Sequence, residues 1–175
     1  PIDGEKIKSC IQCKTCAIMS GFGGAGAFSD GKYNITNDFG GTLYKYIGKK
    51  KAIDLMKYVD KINVEHGGQE CKLYSTAGSE FKKICMQNKL KLLDASVRHL
   101  GTDINYVVLE NLYNELKEKA DFHFDTPVVS INRTDNGYLI KTASDEFECK
   151  NCIVSVGRSG SKWMEKICHE MDIPT

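Results

Sequence analysis

The sequence is poor in the features that would assign a class at once. It carries no excess of either charge, with 24 Lys and Arg against 23 Asp and Glu for a net +1 over 175 residues. No strong electrostatic field therefore points to nucleic acid or to an anionic membrane. No apolar run approaches the ~20 residues that a membrane span requires. The N-terminal residues Asp3, Gly4, Glu5 and Lys6 contain no apolar targeting core, and no internal repeat is visible. A chain that is 41% hydrophobic and 27% charged is expected to fold without membrane or nucleic-acid partners. It opens on Pro1 and stops at Asp172-Ile173-Pro174-Thr175, just after a helical-looking stretch, so the expectation is a piece of a larger protein.

Cysteine, by contrast, is abundant. Of eight, Cys10, Cys13 and Cys16 form C-x-x-C-x-x-C, Cys149 and Cys152 form a second C-x-x-C, and Cys71, Cys85 and Cys168 stand alone. Without a signal peptide a reducing, cytoplasmic compartment is expected, where closely spaced cysteines suggest metal or redox work rather than a disulfide scaffold. Three thiolates at the first spacing can converge on a zinc ion or an iron–sulfur centre. The fourth ligand would have to come from Cys71, Cys149 or a residue before Pro1. Thiol redox chemistry and plain loop cysteines remain alternatives for Cys10, Cys13 and Cys16. Cys149 and Cys152 flank the start of the apolar run Ile153-Val154-Ser155-Val156 and read as small core hydrophobes.

Glycine is concentrated early, with nine of 16 in the first 48 residues, which predicts a loop-rich opening. Beyond it, Leu55, Met56, Val59 and Ile62 mark an amphipathic helix over 51–65 ended by Gly67-Gly68. A helix over 79–87 and a strand over 89–97 follow. The spacing of Ile104, Val108, Leu112 and Leu116 predicts a helix over 104–119 with Thr102 or Asp103 as its N-cap. Short strands are expected over 122–132, 138–142 and 146–148, with a turn at Asp135-Asn136-Gly137. A buried strand over 152–156 and a last helix carrying Trp163, Met164, Ile167 and Cys168 complete an α/β or α+β order. The implied organisation is 1–50 for the cysteine cluster and glycine loop, 51–100 for an insertion, and 101–175 for a helix, β-meander, strand and helix.

Gly21-Phe22-Gly23-Gly24-Ala25-Gly26 satisfies G-x-G-x-x-G, but turn-forming residues rather than a helix follow it, so it is not a first dinucleotide-binding turn. Five glycines between 21 and 31 nonetheless make a backbone able to approach a ligand closely, with Ser29, Asp30 and Lys32 beside it. The alternative is a tightly packed structural loop. After 152–156, Gly157-Arg158-Ser159-Gly160-Ser161 has the strand, turn, helix order of an anion-binding loop or of an ordinary connection with Ser161 as N-cap. Among the histidines, His66 and His123 read as structural. His99, before Leu100-Gly101-Thr102-Asp103, sits where functional residues collect.

The run from Cys13 to Lys32, above all Gly23-Gly24-Ala25-Gly26-Ala27-Phe28-Ser29-Asp30-Gly31-Lys32, resembles the signature of bacterial FAD-dependent dehydrogenases in the glutathione-reductase-like flavoprotein superfamily. The resemblance continues through His99 to Asp103, through Phe124-Asp125-Thr126-Pro127-Val128, and through Ile153 to Gly157. It implies part of a FAD/NAD(P)-binding-type fold that lacks the N-terminal FAD-binding unit, with a substrate-side insertion around 52–97. By this resemblance Gly23, Gly24, Gly26, Ser29 and Asp30 line the flavin site, the Val128 backbone meets the adenine, and Gly157 closes the nucleotide pocket. Cys10, Cys13 and Cys16 resemble a cluster found in one branch of the family.

The leading expectation is thus a fragment of a FAD-dependent oxidoreductase acting on a small molecule, inactive by itself, with His99 and Lys32 as candidates for polarising or deprotonating substrate and Arg98 for pairing with its anionic group. A non-catalytic zinc or iron–sulfur module is the alternative, and a thiol-redox protein using Cys13 and Cys16 a third.

Overall fold

The structure is a computed structural model that describes residue 16 and residues 19–174. Cys10 and Cys13 lie outside the described residues. The chain divides into two compact units, Pro1–Asp121 and Phe122–Thr175. The boundaries expected at 50/51 and 100/101 both fall inside the first unit, whose sheet joins strands from either side of residue 50.

In the first unit the glycine loop ends in a 3-10 turn, Gly24–Phe28, and enters β1, Lys32–Ile35. One helical turn, α1 (Tyr44–Ile47), leads through Gly48 into α2, Lys49–Asn63. A wide turn, Val64–Gly68, then stops at Gly67, whose φ of 136° is a conformation that side chains beyond glycine resist. This is the stop expected from Gly67-Gly68. After it come β2 (Leu73–Ser75), α3 (Phe81–Gln87), β3 (Ser96–His99) and α4 (Gly101–Leu116).

β3 is the middle strand, antiparallel to β1 on one side and β2 on the other. The strand expected over 89–97 is therefore shorter and later. Only residues 96–98 meet both neighbours, with His99 paired to β1 alone, and an edge without a partner forms no ladder.

The interior of this unit is small and partly polar. Ile35, Ala52, Leu100 and Val108 are buried together with Thr36, Asp60, Asn63 and Asn105. The predicted apolar face of α2 is only partly covered: Met56 and Ile62 are half-buried and Leu55 and Val59 exposed, while Ala52, Asp60 and Asn63 are buried. A buried ion pair sets this rotation. Arg98 Nε and Nη2 donate to Asp60 Oδ1 and Oδ2 at 2.6 and 2.8 Å, and Nη1 donates to the Cys71 carbonyl. A charge left alone inside costs several kcal/mol, more than exposing Leu55 or Val59. On α4 the stripe is right at its centre, where Val108 is fully buried, and frays at Leu116, 38% exposed. Its cap position, Leu100, lies two or three residues before the expected Thr102 or Asp103, and no side chain caps it.

The second unit is a meander of β4 (Ser130–Thr134), β5 (Gly137–Lys141) and β6 (Glu146–Cys149), all antiparallel. Thr134 faces Gly137, so Asp135 and Asn136 form the two-residue turn that the sequence predicts. α5, Ser161–Glu170, follows a short turn at Arg158–Gly160. Ser161 is its first residue, and Gly160 precedes it in the cap position. Ile131, Ile167 and Cys168 are buried.

The buried strand expected over 152–156 is absent: these residues join no ladder among the described residues, and Ile153 is 92% exposed. An apolar run becomes a buried strand only when neighbouring strands cover it. With every described ladder antiparallel, the architecture is a mixture of helix and strand of α+β character. No helix among the described residues is long and apolar enough to cross a membrane.

Candidate functional site

The glycine loop is built from the inside of the first unit outward. Leu100 N donates to the Gly31 carbonyl and Gly101 N to the Asp30 carbonyl, both at 3.0 Å, clipping the end of the loop to the start of α4. Asn105, fully buried one turn into that helix, donates from Nδ2 to the Gly26 carbonyl at 2.7 Å and accepts from the Tyr33 hydroxyl at 2.9 Å. Ser29 Oγ accepts from Gly31 N at 3.1 Å. Each buried polar atom of this staple is satisfied, so the loop is fixed by directional bonds.

The glycines divide into two sets. A Cβ at Gly23 would stand 2.9 Å from Leu109 Cδ1, and one at Gly31 3.0 Å from Leu100 Cβ, so these two exist for packing. At Gly24 and Gly26 a Cβ would meet nothing within 4 Å. That outer face of the loop is bare backbone, open to a ligand.

At the same end of the sheet, the pairing of β1 with β3 sets Lys32 opposite His99. Lys32 Nζ lies 2.6 Å from Asp30 Oδ2, with both side chains exposed. The Lys32 hydrogen bond holds the Asp30 carboxyl below its ordinary value against some desolvation, aided by the charges of Lys32 and His99. Ser29, Asp30 and Lys32 follow the open glycines along the chain, and His99 stands across the ladder from Lys32 and within electrostatic range of Asp30. The arrangement can bind an anionic or carbonyl-bearing molecule and shuttle a proton.

Arg98 is not available for such a role. Its guanidinium is consumed by Asp60 and the Cys71 carbonyl, so the anion it was expected to find in substrate is inside the protein. A cavity of about 540 Å³ in this unit, lined by Thr36, Asn37, Lys49, Lys82 and Asp94, lies at the opposite end of the β1–β3 ladder, where Ile35 faces Ser96.

In the second unit, residues 154–156 form a wall between two cavities. One, about 450 Å³, is lined by Val128, Cys152, Gly160 and Trp163, the other, about 530 Å³, by Gly157, Ser161, Met164 and Cys168. Val128 and Gly157 thus fall on either side of one extended segment. Trp163 Nε1 is buried and has no acceptor among the described residues, an unmet donor beside the first cavity.

Of the cysteine cluster, Cys16 is exposed. No group of three or more His, Cys, Asp and Glu among the described residues converges on a metal position. Cys71 Sγ approaches the Leu100 carbonyl at 4.0 Å, and Cys149 belongs to the other unit.

Sequence reasoning missed Asn105 and Asp60. Asn105 left a trace, an amide one turn before Val108 on the apolar side of a helix. Asp60, in a helix rich in charge, left none. No family model matches the chain, and no curated protein or solved structure matches it.

Proposed function

We propose that the chain supplies the flavin-contacting loop and a substrate-side region of a FAD-dependent oxidoreductase. The observation that carries this reading is the loop at 21–31: fixed from below by Asn105, Leu100 and Gly101, and open above at Gly24 and Gly26. A backbone held rigid and bare is what close approach to a flat, polar cofactor requires. In the second unit, taken by itself, an unmet Trp163 Nε1 donor beside an apolar cavity of about 450 Å³ lined by Val128 supports a heterocyclic ligand.

The cofactor's contribution is hydride chemistry. The protein's contribution falls to named groups. Gly23, Gly24 and Gly26 shape the loop, Ser29 and Asp30 present a hydroxyl and a carboxylate at its end, and Val128 and Gly157 flank the nucleotide side. Lys32 and His99 polarise substrate or move its proton.

The test is the visible absorption spectrum of the protein made from its complete reading frame and purified without oxygen. A two-banded flavin spectrum supports the reading. An added broad absorption would assign an iron–sulfur cluster to Cys10, Cys13 and Cys16. A colourless, zinc-containing protein would replace it with the metal-module alternative.

A further inference from the structure

β2 and β3 are joined by a long excursion rather than a tight turn. Their last pair is Ser75 with Ser96, and Thr76 clasps the two ends just beyond it. Its N–H donates to the Ala95 carbonyl at 3.0 Å, and its Oγ1 accepts from Ala95 N at 2.9 Å and donates to the Leu93 carbonyl at 3.0 Å. Between these ends stands α3, closed by its own bonds. Lys89, in the left-handed region at φ 58°, donates from its N–H to the Met86 carbonyl at 3.2 Å, and Leu90 N donates to the Cys85 carbonyl at 2.8 Å. That pair of bonds ends a helix without help from other elements. The arm is thus shaped locally, and α3 contributes no buried residue.

What the arm exposes is apolar and basic. Phe81 and Met86 are 67% and 71% exposed, and Ile84 and Leu90 are more than half exposed. Residues 81–93 hold four lysines and no acid, with Glu80 and Asp94 at either end, an excess that the near-neutral total of the chain conceals. Of these lysines, Lys82 pairs with Asp94 at 3.3 Å between exposed side chains. Lys83, Lys89 and Lys91 are exposed and meet no carboxylate among the described residues.

We propose that this arm, residues 77–94, is a docking tip for an anionic lipid surface, its apolar side chains entering the interface and its lysines meeting the lipid phosphates. Charge complementarity selects the sign of the surface. The spread of the apolar groups selects a fluid one. Successive helical residues turn by about 100°, so Phe81 and Ile84 share one side of α3 and Met86 stands on the other. A protein groove covers one side of a helix, whereas lipid closes round a tip from every side. Nucleic acid would engage the lysines but give the aliphatic groups no apolar medium to enter. Flexible lysine stems let the ammonium groups reach the headgroups while the helix lies at the interface. This inference does not rest on the flavin reading.

The test is sedimentation of the full-length chain with vesicles of mixed phosphatidylglycerol and phosphatidylcholine, and with vesicles of phosphatidylcholine alone. The expected result is pelleting with the anionic vesicles, little with the neutral ones, and release by salt. Lys83→Gln, Lys89→Gln and Lys91→Gln should each weaken binding about fivefold, the worth of one lysine near an anionic surface. Phe81→Ser and Met86→Ser should both weaken it, because lipid reaches both sides of the helix. None of the five side chains is buried, and equal circular dichroism of the variants checks that the fold is kept. The wild type staying in the supernatant, equal pelleting with neutral vesicles, or binding unchanged by all five substitutions would overturn the proposal. So would a loss with Phe81→Ser alone, which points to a one-sided protein partner, a concentration-dependent dimer abolished by the same substitution, which points to a second copy, or a preference for duplex DNA over vesicles. Flavin content plays no part in the readout.

Discussion

The loop at 21–31 and the segment at 151–156 are both irregular backbone beside a small sheet, yet they are held in opposite ways. The first is pinned by buried, fully paired polar groups, Asn105 at its centre. The second carries apolar side chains, joins no ladder among the described residues, and leaves Ile153 92% exposed. Polar contacts give a loop one conformation without needing a large core, whereas an apolar run takes its conformation only from what covers it. The first unit thus presents a finished loop, and the second a wall between two cavities.

The comparison breaks most readily at Asp60. Asp60→Ala leaves the Arg98 guanidinium inside without its carboxylate and should destabilise the first unit by about 3 kcal/mol, measured by urea unfolding followed by circular dichroism. Asn105→Leu comes next. It strands the Gly26 carbonyl and the Tyr33 hydroxyl, for a loss of about 2 kcal/mol, and amide exchange at Leu100 and Gly101 should accelerate as the loop detaches.

A smaller, pH-dependent effect is expected at His66. Nδ1 faces the Ile62 carbonyl at 2.7 Å and Nε2 faces Glu115 Oε2 at 2.8 Å, while Asn111 holds the His66 carbonyl. Both ring nitrogens meet acceptors, so the charged ring completes the network. The Ile62 bond first, then Glu115 with help from Glu65, raises His66 above its ordinary value, while Lys119 pairs with Glu115 from beyond. A group raised on folding stabilises fully below its unfolded pKa of about 6.5 and loses that contribution as pH climbs through the folded value. Thermal stability of the wild type should fall across that interval, and His66→Gln should flatten the profile.

Ile153→Ser is the smallest. With so much of the side chain already in solvent, its effect on unfolding should stay within about 0.5 kcal/mol. A large loss there would show that the second unit covers this segment after all.

What could be read from the sequence was what is decided locally. The turn at Asp135-Asn136, the helix stop at Gly67 and the body of α4 follow from neighbouring residues. The rotation of α2 does not, because Asp60 and Arg98 are 38 positions apart and nothing near Asp60 marks it as internal. The strand expected at 152–156 fails for the same reason: its apolar residues are local, but the partners that make a strand are not. The loop could be recognised by its glycines, and Lys32 and His99 do share one end of a ladder. The division of those glycines into packed and open ones needed Leu100 and Leu109 from another element.

Gly26 gives the most direct measurement of the flavin proposal, since a Cβ added there meets nothing within 4 Å. Flavin content per chain would be compared between wild type and Gly26→Val, each made from the complete reading frame, with circular dichroism confirming equal helix content. The account predicts a flavin-loaded wild type and a variant that has lost most of its FAD. Equal flavin in both, or none in the wild type, would contradict it.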